Sequence, residues 1–388
     1  MKSTISPDIL YIGQDNAEQR LFESQYATPK GMCYNSYVIM DDKVAVMDTA
    51  DASVLDNWER GLEEALGDRL PDYLVVHHLE PDHAAGIDRV MNKYPNVKLV
   101  CSGKAAQMVP LYFDTKVDMQ RVHTVTEGGT LPLGRHTLQF VMAPMVHWPE
   151  VMVSYDAASK VLFSADAFGT FGVYDASAED WAGEARRYYF NICGKYGAPV
   201  SKLLKAVSAF EIEQILPLHG PMLCGGKMME ALRLYNIWAG YGVETEGVMI
   251  AHASIHGNTA QAAVRLKEIL LDKGCGNVLL CDLTRDDMSK ALSDAFRFGK
   301  IVLAASSYDA GVFSPMHDFL YRLSAKAWQD RQVALVENGS WLPSAARTMK
   351  AMLEGMKNIT FIADPITLRG RLKDCDELAL HVLSEELL

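Results

Sequence analysis

Four side chains of metal-binding type occur within six positions near residue 80. They are His78, Glu80, Asp82 and His83, and they directly follow the apolar stretch 73–76, which predicts a strand. Imidazole and carboxylate groups together suit iron, zinc or manganese. Alternating residues that leave a strand can point toward two neighbouring ions instead of competing for one. The spacing therefore predicts a site for two metal ions, against the alternative of a solvated charged loop that happens to contain two histidines.

Three further candidate ligands accompany short apolar runs downstream. His147, Asp166 and His219 each follow or interrupt a run that predicts a strand, so we expect them at one edge of a sheet. Taken singly, each signal is weak, because a lone His after a strand is more often a core residue and a lone Asp is usually a cap. Taken together with the cluster at 78–83, the three residues supply the further ligands that a dinuclear site needs, including one that bridges the two ions.

A hydroxyl-rich loop lies between an apolar run at 248–251 and a helical pattern that begins at Ala260. Its candidate binding residues are Ser254, His256, Gly257, Asn258 and Thr259. Backbone N–H groups at a helix N-terminus can surround a phosphate without Lys or Arg, and a glycine lets the backbone approach closely. The Gly-Lys-Ser/Thr ending of a triphosphate-binding loop is absent, which favours flavin mononucleotide (FMN). A capping loop without a ligand is the alternative.

Two other loops follow the buried runs 300–304 and 332–336. Their candidate binding residues are Ser306, Ser307, Tyr308, Asp309, Ala310 and Gly311 in the first loop, and Gly339, Ser340 and Trp341 in the second. Backbone donors beside aromatic side chains can hold the edge and face of a flavin ring, although the aromatics could be ordinary surface residues. As a set, these loops resemble the flavin-binding loops of flavodoxins.

The metal and flavin motifs together resemble those of the flavodiiron proteins. That resemblance implies an α/β fold with two domains, a metallo-β-lactamase-like αββα sandwich over 1–246 and a flavodoxin-like doubly wound parallel sheet over 247–388. It also implies two irons, with one held by His78, Glu80 and His147, the other by Asp82, His83 and His219, and both bridged by Asp166. His77 stands where the family more usually has Asn, and we do not assign it to metal.

Length and patterning agree with two domains. A chain of 388 residues is too long for one core, and a polar junction at 244–247 follows an amphipathic stretch at 227–242. Upstream, strands are expected at 9–12, 37–40 and 44–47, then alternating helices and strands to about Gly103, then hairpin-like β structure to Phe163. Downstream, strands near Val248, Val278, Ile301, Val333 and Ile359 alternate with helices that begin near Asn258, Asp287, Ser314, Pro343 and Lys373.

Composition narrows the possible partners. The net charge of −12, without a basic cluster, argues against nucleic acid and anionic membranes. The N-terminus lacks a signal-peptide core and no run of about 18 apolar residues occurs, so a cytoplasmic protein is expected. The seven cysteines form no C-x-x-C pair, which argues against a rubredoxin iron site, an iron–sulfur cluster or a disulfide framework.

The resemblance implies reduction of O2 to water, of NO to N2O, or of both, at the diiron site fed by FMN. The electrons must then come from a separate donor, either a rubredoxin-like protein or reduced deazaflavin. A head-to-tail homodimer or a dimer of dimers is also implied, and no acid or base is assigned apart from the metal ligands. Two alternatives remain: a zinc hydrolase with an appended flavodoxin, and an electron carrier whose first domain is inert.

Overall fold

The computed structural model describes residues 4–174 and 180–388. The chain divides into two compact units, Met1–Asn236 and Ile237–Leu388. None of the helices among the described residues has the length and apolar character needed to cross a membrane.

The first unit is built from short strands and helices. Its strands are β1 (Thr4–Ser6), β2 (Ile9–Tyr11), β3 (Gln14–Asn16), β4 (Leu21–Phe22), β5 (Tyr26–Ala27), β6 (Met32–Tyr34), β7 (Tyr37–Ile39), β8 (Ala45–Met47), β9 (Tyr73–Val75), β10 (Lys98–Ser102), β11 (Val122–Val125), β12 (Thr130–Pro132), β13 (Thr137–Met142), β14 (Met152–Asp156), β15 (Val161–Phe163), β16 (Gln214–Leu216) and β17 (Leu223–Cys224). Its helices are α1 (Leu55–Leu66), α2 (Pro81–Ala84), α3 (Ile87–Lys93), α4 (Gly103–Phe113), α5 (Trp181–Ile192), α6 (Gly197–Val207) and α7 (Gly225–Ala239), and α7 contains the boundary between the units. Single 3-10 turns lie at Asp114–Lys116, Met119–Arg121 and Gly194–Tyr196.

Two sheets face each other in this unit. The first has the order β1-β2-β7-β8-β9-β10-β11 and the second the order β12-β13-β14-β15-β16-β17. Ile39, Val75 and Val100 of the first sheet share a buried cluster with Phe140 and Phe163 of the second. Helix α4 packs against β10 and β11, and α6 packs against β13, so helices cover both sheets. The result is the predicted sandwich.

Parallel pairing brings the candidate ligands to one edge of each sheet. Strands β8, β9 and β10 run parallel, so the segments that follow β8 and β9 leave at the same edge of the first sheet. Strands β15 and β16 are also parallel, so Asp166 and His219 leave the second sheet together. The carboxyl ends of parallel strands are where open α/β sheets place their sites.

Two local predictions need correction. Residues 103–113 form helix α4 instead of hairpin-like β structure, because the Ser102 hydroxyl caps the helix by accepting from the N–H of Ala105. The antiparallel meander expected farther on is confirmed as β12–β15. Asp82 and His83 also lie on one helical turn, α2, and do not alternate along extended chain beyond the strand, since Pro81 at the first position of α2 favours helical geometry.

The second unit alternates strands and helices. Its strands are β18 (Thr245–Ala253), β19 (Val278–Asp282), β20 (Phe298–Tyr308), β21 (Gly311–Val312), β22 (Arg331–Asn338), β23 (Ile359–Phe361) and β24 (Ile366–Leu368). Its helices are α8 (Asn258–Asp272), α9 (Met288–Arg297), α10 (Ser314–Ala325), α11 (Ala345–Glu354) and α12 (Asp374–Leu387). The strand order β19-β18-β20-β22-β23 is the doubly wound order, and all five strands are parallel, as predicted.

Helices cover both faces of this sheet. Val248, Ile250 and Val302 share a cluster with Leu266 of α8 and Leu383 of α12, which occupies one face. The alternate strand residues are also buried, because α9, α10 and α11 pack on the opposite face. The polar loops after β18, β20 and β22 are therefore left at the carboxyl edge, on either side of the point where the strand order reverses.

Candidate metal centre and cofactor cleft

The seven predicted metal ligands lie in two adjoining groups. Within each group, one ligand atom of every residue lies within 4.8 Å of the others. The first group is His78, Glu80, His147 and Asp166, and the second is Asp82, His83 and His219. The structure thus brings together all the residues predicted for the metal site.

The first group converges on two carboxylates. Glu80 Oε2 lies 3.1 Å from Nε2 of both His78 and His147. Asp166 Oδ2 lies 3.2 Å from the same two nitrogens. Two imidazoles and two carboxylate oxygens therefore surround one small volume.

The second group meets the other oxygen of Asp166. Asp166 Oδ1 lies 3.3 Å from His83 Nε2 and 3.7 Å from His219 Nε2. Asp82 Oδ2 lies 3.4 Å and 3.2 Å from the same two nitrogens. Because its two oxygens face different groups, Asp166 has the position of a bridging ligand.

Hydrogen bonds behind two of the imidazoles fix which nitrogen faces the centre. His78 Nδ1 donates to Glu150 Oε1 over 2.7 Å, and His219 Nδ1 donates to the carbonyl oxygen of Cys33 over 2.7 Å. The same Glu150 oxygen accepts the N–H of Leu79 at 3.0 Å. A neutral imidazole that donates through Nδ1 presents the lone pair of Nε2, which is the orientation that a metal ligand needs.

Unpartnered atoms show that the residues fit a cation. Among the described residues, no hydrogen-bond partner is found for either carboxylate oxygen of Asp82 or for Asp166 Oδ1, all of them buried. The Nε2 atoms of His83 and His219 also face each other at 3.0 Å. Buried carboxylates and opposed lone pairs are costly unless a positive charge lies between them.

The electrostatics of the first group favour the same conclusion. Burial lowers the pKa of His78, but the charge of Asp166 and hydrogen bonds to Asp166, Glu150 and Glu80 raise it well above its ordinary value. Burial raises the pKa of Glu80, yet hydrogen bonds with His147 and His78 outweigh it and bring the value to about 2. Without a metal, these carboxylates hold a proton on His78; a bound cation would take the place of that proton and leave Nε2 free to coordinate.

Among the seven side chains of the centre, that of Glu80 is the most exposed. The Glu80 side chain is 16% exposed, and those of Asp82 and His147 are slightly exposed, whereas His78, His83 and His219 are buried. Behind His219, aromatic rings close the site: Phe22 at 5.2 Å, Tyr188 at 5.6 Å and Tyr34 at 5.7 Å between ring centroids. A small molecule would reach the ligands past Glu80.

Residues 165 and 145, close to two of the ligands, adopt an unusual backbone. Ala165, directly before Asp166, has φ +51°, and Met145, two residues before His147, has φ +67°. Non-glycine residues rarely adopt positive φ, and such positions cluster where function requires a fixed geometry. Gly220, after His219, also has positive φ, and a Cβ there would meet Thr170 Cγ2 at 2.1 Å.

His77 points away from both groups. Its Nδ1 lies 2.5 Å from Asp48 Oδ2 and its Nε2 lies 2.8 Å from Ser154 Oγ. Both ring nitrogens of His77 are thus engaged away from the two groups, so His77 is not positioned as a metal ligand. Glu150 and Asp48 were not predicted, although the carboxylate three positions after His147 was a visible signal for Glu150.

A cleft of about 550 Å³ lies at the carboxyl edge of the second unit's sheet. This volume suits a mononucleotide-sized ligand. The predicted binding residues that line it are His256, Asn258, Thr259, Ser306, Ser307, Tyr308, Asp309, Ala310, Gly339, Ser340 and Trp341.

Three predicted residues shape the cleft without lining it. Ser254 Oγ accepts the N–H of Gly257 at 3.1 Å, which closes the turn before α8. Gly257 has φ +88°, and a Cβ there would meet nothing within 4 Å, so its conformation and not crowding requires glycine. The carbonyl oxygen of Gly311 accepts from the Ser344 hydroxyl at 2.8 Å.

A fourth loop of the cleft, which follows β24, was not predicted from the sequence. Asn338 Nδ2 donates to the carbonyl oxygen of Gly370 at 2.8 Å, and Asn338 Oδ1 accepts the N–H of Gly370 at 3.0 Å. This amide clamp holds the loop against the cleft. The unpredicted lining residues are Ile255, Asn338, Leu342, Ser344 and Gly370. The pair of arginines that flank Gly370 gave no signal of a binding loop.

Comparison with known proteins extends over the whole chain. Residues 32–220 match the family described as "ODP family beta lactamase". A nitric oxide reductase of Moorella thermoacetica is 28% identical over 377 residues, which cover 93% of this chain and 91% of that protein. The rubredoxin oxygen:oxidoreductase of Desulfovibrio gigas superposes with a TM-score of 0.92 at 24% identity, covering 100% of this chain and 98% of that one. A flavodiiron protein from Giardia intestinalis gives 0.90 at 23% identity, covering 100% and 96%.

The fold and the two sites thus define a class: a metallo-β-lactamase-like sandwich with a candidate two-metal centre, followed by a flavodoxin-like unit with a candidate nucleotide cleft. The flavodiiron proteins share this fold over the full length of the chain. The predicted resemblance to that family and the predicted fold class are confirmed.

Proposed function

We propose that this chain is a flavodiiron oxidoreductase that reduces O2 to water, NO to N2O, or both, with electrons delivered through FMN. The observation that carries the proposal is Asp166, whose two oxygens face two separate groups of metal-binding side chains. The balanced reactions are O2 with four electrons and four protons giving two H2O, and two NO with two electrons and two protons giving N2O and H2O.

The donor set favours iron. In our proposal, His78, Glu80 and His147 hold one ion, Asp82, His83 and His219 hold the other, and Asp166 bridges them. Each position then has two imidazoles and a carboxylate of its own, the combination typical of non-haem Fe(II) sites. A pair of ferrous ions bound there would supply two electrons to a small molecule.

The chain's own residues perform the remaining tasks at this centre. Glu150 and the Cys33 carbonyl hold His78 and His219 in the tautomer that presents Nε2 inward. Phe22, Tyr34 and Tyr188 exclude water behind His219, while the side toward Glu80 stays open for the substrate. No residue outside the ligand set is assigned as acid or base.

The cleft of the second unit supports FMN. The turn at Gly257 presents the N-terminus of α8, where backbone N–H groups favour a phosphate. Trp341 is 89% exposed and Tyr308 49% exposed at the cleft, so both can cover an isoalloxazine face. Bound FMN would accept electrons from a donor and pass them on singly or in pairs.

Four finer points are part of the proposal. The domain bounds, the electron donor and the assembly rest on the resemblance, and the location rests on the sequence pattern. The diiron domain extends over 1–246 and the FMN domain over 247–388. Electrons come from a separate rubredoxin-like protein or from reduced deazaflavin. The chain assembles as a head-to-tail homodimer or a dimer of dimers, in which the FMN of one subunit faces the irons of the other. The protein acts in the cytoplasm.

The zinc hydrolase is not favoured, because relatives and solved structures that cover most of the chain carry oxidoreductase names. Matched metal loading tests the choice. Apoprotein with FMN would be loaded with either iron or zinc, reduced anaerobically and supplied with O2 or NO at an electrode. We expect NO consumption, and O2 consumption without release of hydrogen peroxide, by the iron form only, because reduced FMN beside zinc can reduce O2 only to hydrogen peroxide. Ester or thioester hydrolysis by the zinc form, with no such consumption by the iron form, would favour the hydrolase.

A further inference from the structure

A buried chain of three polar residues lies beside the metal centre and takes no part in the ligand set. It consists of Asp48, His77 and Ser154, and we name it the His77 strut. Asp48 directly follows β8, His77 follows β9 by two residues, and Ser154 lies in β14. All three are at most 1% exposed. The strut therefore joins the first sheet to the second through the interior.

Both carboxylate oxygens of Asp48 accept hydrogen bonds from His77. Its Oδ1 accepts the backbone N–H of His77 at 2.7 Å, and its Oδ2 accepts from Nδ1 of the ring at 2.5 Å. Asp48 has φ +55°, a strained conformation for a residue with a side chain. These two bonds fix both the backbone and the ring of His77.

The far side of His77 meets the second sheet. Ring Nε2 lies 2.8 Å from Ser154 Oγ, and the carbonyl oxygen of His77 accepts the N–H of Met152 at 3.1 Å. The ring also stacks on Phe163 of β15, with 13° between the planes. One residue thus contacts two strands of the second sheet while it is fixed to the first.

The ligand set is divided between the same two sheets. His78, Glu80, Asp82 and His83 follow β9 of the first sheet, whereas His147, Asp166 and His219 belong to segments that flank strands of the second. The two residues after β8 contact both ends of the segment 77–83 that carries the first four ligands. Asp48 binds His77 at its start, and the Thr49 hydroxyl donates to the carbonyl oxygen of His83 at its end, over 2.7 Å.

We propose that His77 is a positioning residue, which sets the separation between the ligands of the first sheet and those of the second. This inference rests on the proposed metal centre. Side chains behind metal ligands typically change metal affinity by about 10–100-fold when they are removed. His77 acts on His78 through one peptide unit, so we expect an effect near the lower end of that range.

The chain contains a matched control at the opposite end of the sandwich. His136 is also buried; its Nδ1 lies 2.7 Å from Asp156 Oδ2, and its backbone N–H donates to Asp41 Oδ2 at 2.7 Å. Asp156 ends β14, and Asp41 lies in the turn between β7 and β8. This second strut also links the two sheets, but no candidate ligand lies beside it. It therefore separates loss of a buried histidine from loss of ligand positioning.

The experiment compares His77→Phe, Ser154→Ala and His136→Phe in the full chain with FMN bound. His77→Phe keeps a ring against Phe163 but loses both side-chain hydrogen bonds. Ser154→Ala removes only the hydrogen bond between the His77 ring and the second sheet, and it is the milder change if the first variant folds poorly. Anaerobic titration of each apoprotein with Fe2+ against a chromogenic chelator gives the affinity, and Co2+ absorption reports ligand geometry.

We expect His77→Phe to weaken Fe2+ binding about tenfold and to alter the Co2+ spectrum. Ser154→Ala should change both readouts in the same direction, with a smaller effect on each. His136→Phe should lower the melting temperature but leave both metal readouts as in the parent. If the His77 and Ser154 variants lose only melting temperature, as His136→Phe does, the inference is overturned. If the parent itself binds no pair of ions, the proposed function fails as well, so the two failures are distinguishable.

Discussion

The metal centre and the cofactor cleft are built in opposite ways. At the metal centre, six of the seven candidate ligands are at least nine-tenths buried, and hydrogen bonds hold His78 and His219 from behind. The cleft is made of four loops whose most prominent side chains, Trp341 and Tyr308, are largely exposed. In the proposed function, the first site would select its ligand by charge and fixed geometry, and the second by backbone donors and an aromatic surface.

This difference predicts how each site responds to substitution. A buried group of carboxylates is unstable without its cation, so changes at the metal centre should affect metal binding and folding together. Changes at the exposed cleft should weaken flavin binding and leave the fold intact.

The largest effect is expected for Asp166→Asn. The amide keeps one oxygen and replaces the other with an NH2 group that cannot ligate, so one group loses its bridging ligand and the other keeps only a neutral one. Metal content should fall below two ions per chain, and O2 or NO turnover should fall by at least roughly a hundredfold. Metal analysis and electrode assays measure both.

Asp156→Asn is the control for that change. Asp156 is a buried carboxylate bonded to a buried histidine in the same sheet, at the opposite end from the ligands. The Asp156→Asn variant should unfold at a lower temperature than the parent but still bind two ions. Equal metal loss in the two variants would mean that the loss comes from general destabilisation of the sandwich and not from removal of Asp166 as a ligand.

Glu150→Ala should have the next largest effect. Without Glu150, His78 loses the acceptor that fixes its tautomer, and Leu79 loses the acceptor for its N–H. We expect Fe2+ affinity to fall by about 10–100-fold. Glu150→Gln keeps an oxygen acceptor and should lose less, as competitive chelator titration can measure; an equal loss in both variants would argue against the role of the hydrogen bond.

At the cleft, Trp341→Ala should weaken FMN binding by about tenfold, which is roughly 1.4 kcal/mol and near the upper end for an aromatic contact. The melting temperature of the apoprotein should not change, because the side chain is 89% exposed. Tyr321, an exposed aromatic of α10 outside the cleft, provides the control Tyr321→Ala. Flavin fluorescence titration gives both dissociation constants, and unchanged binding in Trp341→Ala would exclude it from the ring site.

The smallest effect is expected for Gly257→Ala. A Cβ fits sterically, but φ +88° costs a non-glycine residue about 1 kcal/mol, which corresponds to roughly fivefold in an equilibrium constant. Relaxation of this strain would turn the backbone donors away from the phosphate. Gly274→Ala, at φ +90° just beyond the other end of α8, carries the same strain far from the cleft. Only Gly257→Ala should weaken FMN binding; equal binding in the two variants would mean that the phosphate lies elsewhere.

The two regions also differ in how well the sequence predicted them. The candidate ligands of the metal centre were predictable because rare residue types follow apolar strands at fixed intervals, and parallel pairing brings such positions together. Glu150 and the Asp48 bonds were not predicted, because a buried carboxylate looks like a surface one until its neighbours are known. The cleft was predicted through its first three loops, each of which follows a strong strand pattern. The Gly370 loop was missed because it follows the three-residue strand β24 and depends on Asn338, 32 positions away.

The most direct test of the account is a single-turnover measurement on protein loaded with iron and FMN and reduced anaerobically. Reduced FMN and two ferrous ions hold roughly four electrons per chain, enough to reduce about one O2 to water or to convert NO to N2O. We predict that flavin and iron are oxidised together and that water or N2O is the product. Oxidation of the flavin alone with release of hydrogen peroxide, or oxidation of neither cofactor by O2 or NO, would contradict the account.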